Sequence, residues 1–525
     1  MSKQAYYAKD ELRKIFLLIF LLEAKFMKKI LLTGASGYIG GHLMNRLKEN
    51  YEIIAVSRHI ENKKDEQNVT WKSADLFDLN EITEVMKDVD IAIYLVHSMM
   101  PSAKLTQASF EDMDALLADN FAKAASFNKV DHIVFMSGLI PKTNELSPHL
   151  RSRLECERIL GAYGVPVSTL RAGLIIGSKG SSYPILKKLV QRLPGLLLPQ
   201  WAYNTTLPVA IEDVINGLYK IVERRPHTNE SIDIGGPTHM TYKDLFKQTA
   251  EVLDKRLPTI DLPIIPIWLS KYWVKLISGV PKEMVYPLMD SLIHDMVRNE
   301  KNTIEGISVG KIDFRESVRK ALAEETTKQK KHKKSGKSAV KDVRAISRAI
   351  LPKDMNISQV TELYADFLNN ITLNVVNSDF DEDNFSITVP CLNKDLLLLK
   401  KDETASNDER ILYRIVGGDF ALDSNGGNAR LEFRRLPNSN ECIIALQEYE
   451  PTLPWWVYKY TQAKVHKSVM NLFKLKLETT KNIKKGGVNM KKFILPVVIV
   501  GVVVLKLYGL KKCLAKRNNM SNAEL

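Results

Sequence analysis

Short apolar runs alternate with amphipathic segments through the first third of the chain. An apolar run bounded by turn residues predicts a buried strand, and apolar residues at helical spacing predict a helix. The predicted strands are 29–33, 52–57, 69–72, 91–96, 132–137 and 167–171, and the predicted helices are 41–49, 80–86, 110–127 and 151–163. This alternation indicates a Rossmann-like, doubly wound parallel α/β sheet. It is lost over 172–325, where we expect a substrate-side subdomain interleaved with the sheet.

The pattern changes after a lysine-rich stretch at 326–344, which we interpret as a basic linker. Helices are predicted at 360–369 and, as a long closing helix, at 455–476. Between them lie short strand candidates around Thr372, Phe385, Leu412, Leu431 and Ile443. We therefore expect a smaller α+β domain over 345–485, whose sheet curls around the last helix.

The composition, 45% hydrophobic and 26% charged over 525 residues, excludes wholesale disorder and a polytopic membrane protein. Four cysteines without CxxC spacing exclude a disulfide scaffold and a thiolate zinc site, and no metal site is predicted. The net charge of +14 is unevenly spread, because 326–344 carry +7, 459–492 carry +9 and 493–525 carry +4. The remaining body is mildly acidic, which argues against nucleic acid and favours a membrane surface as partner.

The two ends of the chain suggest segments outside these domains. Residues 493–510 form an apolar run between lysine pairs, and a helix of that length would span about 27 Å of a bilayer core of about 30 Å. We predict a transmembrane anchor over 491–512, with a buried core helix or strand as the alternative. Residues 1–26 are predicted to be an N-terminal extension, unless Met27 is the natural start.

A glycine loop follows the first predicted strand. Gly34 lets the chain turn, Gly37 lets a pyrophosphate approach the backbone, and Gly40 lets helix and strand pack closely. The N–H groups at the start of the helix would then face the phosphates. The predicted nucleotide-binding residues here are Gly34, Ser36, Gly37, Tyr38, Ile39 and Gly40.

The ends of the later strands refine the cofactor prediction. Ser57 and Arg58 stand where an acidic residue would select NAD, and a hydroxyl with a guanidinium suits a 2′-phosphate instead. We predict NADP, with NAD as the alternative, although Arg58 could be a surface charge. Asp75 is placed to accept from the adenine amino group, or else to cap the next turn. Leu76, Val96 and His97 complete the predicted cofactor site.

Several motifs resemble the atypical extended short-chain dehydrogenase/reductases. They are TGASGYIG at 33–40, SGL at 137–139, SPHLRSRLECERIL at 147–160, LRAGLIIG at 170–177, PVAIEDV at 208–214 and IGGPTHMTYKDL at 234–245. The resemblance covers about 27–325 and is strongest to the NAD(P)H-binding group related to the nucleotide-carrying accessory subunit of respiratory complex I. It implies a Rossmann-like fold whose glycine motif binds NAD(P)H.

The resemblance also implies a catalytic set of Ser, then Tyr about a dozen residues on, then Lys four residues later. Ser137 falls at the serine position, but His149 and Arg153 stand where Tyr and Lys would be. An arginine stays charged, so Arg153 could bind the hydroxyls of a ribose but could not relay a proton. Either His149 acts as the acid/base, or the site binds nucleotide without the usual carbonyl reduction; His149 could also simply start a helix. His97 is a second candidate acid/base.

Residues 345–478 are similar to C-terminal domains often fused to this group. YRIVGG at 413–418, ARLEFRR at 429–435, the Pro-Trp-Trp run at 454–456 and His466 carry that similarity. It implies a helix-grip-like fold enclosing an apolar ligand. The aromatic residues near 455–460 could line a cavity mouth, meet a membrane interface or pack in the core.

Together these features predict an NADP(H)-binding protein in the cell membrane, with a single span and its folded domains on the cytoplasmic side. We expect the protein to take part in quinone, isoprenoid or lipid metabolism. A respiratory or envelope membrane complex is a candidate partner. The alternative is an active NADP-dependent oxidoreductase on an apolar carbonyl or quinone, using His149 as acid/base.

Overall fold

The computed structural model describes residues 27–99, 105–328, 343–371, 376–381, 383–389, 394–421 and 428–481. These fall into two compact units, the first made of 27–99 and 114–328 and the second of 105–113 and 343–481. The predicted N-terminal extension and most of the predicted basic linker lie outside the described residues.

The strands are β1 Lys29–Leu32, β2 Glu52–Ser57, β3 Val69–Ser73, β4 Ile91–Tyr94, β5 Leu105–Gln107, β6 His132–Gly138, β7 Val167–Ala172, β8 Ile175–Ile176, β9 Leu196–Leu198, β10 Thr205–Thr206, β11 Val209–Ala210, β12 Glu230–Ile234, β13 Met240–Thr241, β14 Thr259–Asp261, β15 Val343–Ile350, β16 Asn377–Phe380, β17 Asn384–Val389, β18 Lys394–Lys401, β19 Arg410–Gly417, β20 Arg430–Arg435 and β21 Glu441–Tyr449.

The helices are α1 Tyr38–Leu47, α2 Leu79–Val85, α3 Phe110–Phe127, α4 Pro148–Leu160, α5 Tyr183–Arg192, α6 Ile211–Val222, α7 Tyr242–Val252, α8 Ile267–Ser278, α9 Lys282–Ser291, α10 Phe314–Lys328, α11 Ile357–Ile371, α12 Trp455–Tyr460 and α13 Gln462–Lys481.

The first unit is built on a seven-stranded sheet in the order β12-β7-β6-β4-β1-β2-β3. Every neighbouring pair in it is parallel. Ile93 packs on one face of the sheet in a core that includes residues of α1 and α6. On the other face the Tyr94 ring meets that of Phe121 from α3, with 5.0 Å between ring centroids. The predicted Rossmann-like sheet is confirmed, and its seventh strand, β12, was not foreseen.

The strand order reverses on either side of β1, which lies between β2 and β4. The carboxyl ends of parallel strands share one edge of the sheet, and a crevice opens where the order reverses. The loops after β1, β4 and β6 therefore converge there. Residues 172–328 add the short strand pairs β8–β11, β10–β13 and β9–β14, with helices α5, α7, α8, α9 and α10 around a second core.

The second unit contains an eight-stranded sheet in the order β16-β17-β18-β19-β20-β21-β15-β5. Its pairs are antiparallel except β15 with β5, and β15 returns to pair with the last strand, β21. Tyr364 of α11 lies in the core with its ring 5.5 Å from Phe433 and 5.0 Å from Phe473, measured between centroids. Strand β15 was not predicted, the Thr372 strand candidate lies outside the described residues, and the helix-grip assignment stays a prediction.

The fold predicted from the sequence included a C-terminal transmembrane helix, and this part of the prediction is corrected. Within the described ranges, no helix is both long enough and apolar enough to cross a bilayer. The longest, α13, has 20 residues but carries five lysines and Glu478, which suits an amphipathic helix packed by one face. The predicted segment itself, 491–512, lies outside the described residues.

Candidate functional site

The glycine loop after β1 is as tight as its three glycines suggest. Gly34 has φ +68°, in the left-handed region that favours glycine. A Cβ on Gly40 would lie 2.2 Å from the Gly34 carbonyl oxygen, so helix α1 could not pack here with any side chain at that position. Thr33 fastens the loop to the neighbouring strand, because its Oγ1 donates to the Ile93 carbonyl at 2.9 Å.

Helix α1 starts with its N–H groups turned to this loop. Gly37 is its N-cap, without a side-chain hydrogen bond, and its first turn has no acidic residue. The N–H groups of a first helical turn have no partner inside the helix and attract phosphate. Ser36 and Gly37 are exposed beside them. The loop is therefore a cradle whose free backbone N–H groups suit a pyrophosphate.

Two of the predicted loop residues point elsewhere. The Tyr38 hydroxyl donates to Glu324 Oε2 of α10 at 2.7 Å and accepts from the Ser178 N–H at 3.0 Å. Burial, followed by the hydrogen bond to Glu324, raises the pKa of Tyr38 well above its usual range. Ile39 is half-buried against the core. Only the backbone of these two residues can contact a nucleotide.

The residues predicted to choose the cofactor lie at the ends of β2 and β3. Ser57 bonds locally with the His59 backbone. The Arg58 side chain is exposed and makes no hydrogen bond or ion pair with any described residue. Asp75 Oδ1 accepts from the Phe77 N–H at 3.1 Å, so it does cap a turn, and Leu76 is buried.

A buried carboxylate that was not predicted organises the carboxyl ends of β4 and β6. Asp114 of α3 is fully buried and accepts from three groups: His97 Nδ1 at 2.6 Å, the Ser98 N–H at 2.7 Å and Ser152 Oγ at 3.3 Å. Arg153 Nη1 is 3.9 Å from it. Burial opposes its ionisation, but His97, Arg153 and the Ser98 N–H outweigh burial and lower the pKa of Asp114.

Asp114 determines which ring nitrogen of His97 carries the proton. Burial lowers the pKa of His97 more than the neighbouring carboxylate raises it, so the ring is neutral at pH 7. A neutral ring facing a carboxylate carries its proton on Nδ1 and donates it to Asp114. The other nitrogen, Nε2, is then the one with a lone pair.

Helix α4 places His149 and Arg153 one turn apart on the same face. The helix begins at Pro148, three residues before the predicted start at Arg151; Pro148 occupies its first turn and Ser147 Oγ accepts from the Leu150 N–H at 3.3 Å. Arg153 is buried and donates to the carbonyl oxygens of Met136 at 2.6 Å and Val96 at 3.3 Å. Its guanidinium is therefore engaged with the strand ends and is not turned to a ribose.

His149 and Ser137 are the polar groups left open at this edge. The His149 ring meets the His97 ring edge-on at 5.1 Å between centroids. Its Nδ1 and the Ser137 Oγ are buried and have no hydrogen-bond partner among the described residues. Burial, then His97 and Arg153, lower the pKa of His149 to about 3. His149 is thus a neutral imidazole at pH 7, able to share a hydrogen bond but not to hold an extra proton.

An apolar pocket opens beside these groups within the first unit. Its cavity volume is about 140 Å³, the size of a cavity that holds a benzene-sized ring, and it opens to solvent. Gly138, His149 and Gly173 line its end at the sheet edge. The rest is mostly apolar, with Leu186 of α5 and Trp201 among the lining residues. The predicted site residues did not include these more distant ones.

The comparisons with known proteins agree with this geometry. Residues 30–182 match the NAD dependent epimerase/dehydratase family. Over 144 residues the chain is 36% identical to the auxiliary protein GraX of Staphylococcus aureus, covering 27% of this chain and 43% of GraX. Over 281 residues it is 23% identical to the UDP-glucose 4-epimerase of Vibrio cholerae, covering 48% of this chain and 84% of the epimerase. The chain thus spans less than half the length of GraX.

Solved structures also match part of the chain. The NADPH-dependent quinone oxidoreductase QOR2 of Escherichia coli, complexed with NADPH, is 18% identical with a TM-score of 0.46, covering 56% of this chain and 99% of that one. The family match confirms the predicted cofactor as a nicotinamide dinucleotide, and the glycine cradle fits one. The relation to the complex I accessory subunit stays a prediction.

Proposed function

We propose that the first unit is an NADP(H)-dependent oxidoreductase that acts on an apolar conjugated acceptor, such as a quinone. The observation that carries this proposal is the position of the apolar pocket. It ends at Gly138 and His149, at the same sheet edge as the glycine cradle. A protein that only stored a nucleotide would have no need of a ligand-sized apolar space there.

The protein groups at this edge limit the kind of substrate. The dinucleotide, when bound, supplies a hydride. His149 can stabilise a substrate oxygen by a hydrogen bond. With a pKa of about 3, however, it is not an imidazolium at pH 7 and cannot act as a general acid. The substrate should therefore be one whose reduced oxygen is weakly basic. A reduced quinone is a phenol, and phenols ionise near pKa ~10 as tyrosine does, so a hydrogen bond is enough help.

The preference for NADP over NAD rests on Arg58. Its guanidinium is exposed and unpaired among the described residues, at the end of β2 where the ribose 2′ position belongs. A charge-assisted contact with a 2′-phosphate is worth about 1.5–3 kcal/mol, or about ten- to a hundred-fold in affinity. Arg58→Glu should lose that preference in fluorescence titrations of NADPH and NADH, whereas Arg225→Glu, at another exposed arginine, should keep it.

Turnover decides whether the proposal is right. Purified full-length protein should oxidise NADPH with short-chain quinones, and not with simple aldehydes. His149→Phe should lower kcat by about ten- to a hundred-fold, since one hydrogen bond is lost, and leave NADPH affinity within a few-fold. The exposed His239→Phe is the matched control and should leave kcat unchanged. An enzyme that reduces aldehydes as fast as quinones would contradict the assignment of substrate class.

A non-catalytic, nucleotide-bound scaffold is the second candidate. It is favoured by Arg153, which is held by backbone carbonyls where the superfamily's lysine would help catalysis. The relative GraX is itself described as an auxiliary protein. Tight NADPH binding with no turnover on any quinone would favour this candidate. The cell-membrane location, the apolar ligand of the second unit and the respiratory or envelope partner stay predictions.

A further inference from the structure

Helix α8 carries large apolar side chains on both its buried and its exposed face. Trp268, Tyr272 and Leu276 recur every four residues and are 67%, 59% and 69% exposed. Ser270 and Ser278, two residues further along, lie on the opposite face and are fully buried. A helix on the surface of a soluble domain normally turns its apolar stripe to the core. Helix α8 has such a stripe around Val274, so its second apolar stripe, which is left exposed, marks a contact surface.

The chain before α8 extends this surface. Ile264 is 87% exposed and Ile260 62% exposed. Ile260 pairs in register with Leu197 of β9, which is 45% exposed, so these two apolar side chains lie side by side. We call the following set the α8 surface: Leu197, Ile260, Ile264, Trp268, Tyr272 and Leu276.

Positive charge accompanies the α8 surface. Residues 255–283 contain five Lys/Arg and two Asp/Glu. Arg256, Lys275 and Lys282 are exposed and have no ion pair within the described part of the chain. Of the two acidic residues, Asp261 is paired with Lys243. An apolar stripe beside uncompensated cations is the combination that binds an anionic lipid interface.

The buried side of α8 adjoins the apolar pocket. Trp201 Nε1 donates to Ser270 Oγ at 3.2 Å, and Trp201 lines the pocket. Helix α8 also packs against α5 and α9, and both of these contribute pocket-lining residues. The pocket wall and the α8 surface are thus two sides of the same helical layer.

We infer that the α8 surface docks on the interface of an anionic lipid bilayer. Trp268 and Tyr272 lie at the headgroup level, Ile264 and Leu276 enter the acyl boundary, and the lysine side chains reach the lipid phosphates. The contact is peripheral, because the 12 residues of α8 reach only about 18 Å. A second copy of this chain is the poorer occupant, because its own α8 surface carries the same positive charge. The inference does not depend on the proposed catalysis.

Hydroxyl-radical footprinting of the full-length protein tests this contact at the residues themselves. Oxidation of Trp268 and Tyr272 is measured with and without vesicles of phosphatidylcholine and phosphatidylglycerol. Both should be protected several-fold on these vesicles and less on phosphatidylcholine alone. Phe127, 75% exposed at the end of α3, is the internal control and should stay as reactive as in solution.

Paired variants in the full chain complete the test. Trp268→Glu with Leu276→Glu should abolish the protection of Tyr272 and weaken vesicle binding by about ten-fold or more. Phe127→Glu with Val309→Glu adds the same charge at two other exposed apolar positions and should change neither. Vesicle binding without protection of Trp268 and Tyr272, or no binding at all, would overturn the inference. So would protection without vesicles that grows with protein concentration, which would identify a second copy as the occupant.

Discussion

The pH dependence of stability offers a direct test of the state of His149. Burial lowers its folded-state pKa to about 3, whereas an unfolded histidine titrates near pKa ~6.5. Between these two values the unfolded chain binds a proton that the folded chain does not, so stability falls as the pH falls through this window. At about pH 5 the difference amounts to about 2 kcal/mol for one histidine, and at about pH 7.5 it is negligible.

In the His149→Phe variant, position 149 binds no proton in either the folded or the unfolded chain. The wild-type protein should lose about 2 kcal/mol more than the variant between about pH 7.5 and about pH 5. For a unit of this size that corresponds to about 4 °C in the unfolding midpoint. The change in packing that phenylalanine brings is present at both pH values and cancels in the comparison. The magnitude holds as long as the folded-state pKa lies well below 5.

The measurement must report on the first unit alone, because two units need not unfold together. Thermal proteolysis at a fixed heating rate, read by mass spectrometry of peptides from β6 and β7, provides that. The exposed His239→Phe is the matched control and should follow the wild type at both pH values. If His149→Phe also runs parallel to the wild type, His149 is already protonated in the folded protein at about pH 5. That result would refute the neutral imidazole and with it the restriction to weakly basic products.

Three further predictions concern the glycine cradle and the buried charges. Gly40→Ala should weaken NADPH binding by about ten-fold or more in fluorescence titrations, because its Cβ would meet a carbonyl oxygen at 2.2 Å, whereas Gly41→Ala, with 3.9 Å of room, should bind normally. Asp114→Asn should cost the first unit about 3 kcal/mol by thermal unfolding, because a buried guanidinium loses its counter-charge, whereas the exposed Asp131→Asn should cost little. Glu432→Gln should destabilise the second unit by about 3 kcal/mol at neutral pH in chemical denaturation. The guanidinium groups around Glu432 lower its pKa despite burial. The stabilising effect of the ionised carboxylate is therefore present above about pH 4.3 and is lost as the pH falls below that value. A Glu432→Gln variant as stable as the wild type at neutral pH would contradict this.

Local sequence features determined the class of the first unit. The alternation of apolar runs and amphipathic helices defines a parallel sheet, because each element must bury one face and the periods of strands and helices differ. The glycine spacing predicted a tight turn into a helix, and the 2.2 Å approach at Gly40 shows why no other residue fits. The start of α4 was also foreseeable, since Ser147 and Pro148 are a cap and a first-turn residue in sequence order.

The chemistry at the carboxyl edge of the sheet depended on contacts that no local pattern encodes. Asp114 is 17 residues from His97 and 38 from Ser152, and an aspartate on an amphipathic helix gives no sign that it is fully buried. The orientation of Arg153 could not be predicted either. Its spacing suggested a ribose contact, whereas in the folded unit its guanidinium donates to two backbone carbonyl oxygens.

The pocket and the α8 surface likewise came from the tertiary structure. The pocket is lined from Gly138 to Met296, so its apolar character is visible only when several helices are brought together. The sequence of helix α8 does not show which of its faces is covered, because periodicity only distinguishes the faces of a helix. Only packing against α5 and α9 showed that the serines face inward and Trp268 and Tyr272 face outward. Sequence periodicity determined the elements, and long-range packing decided which faces are buried and what they enclose.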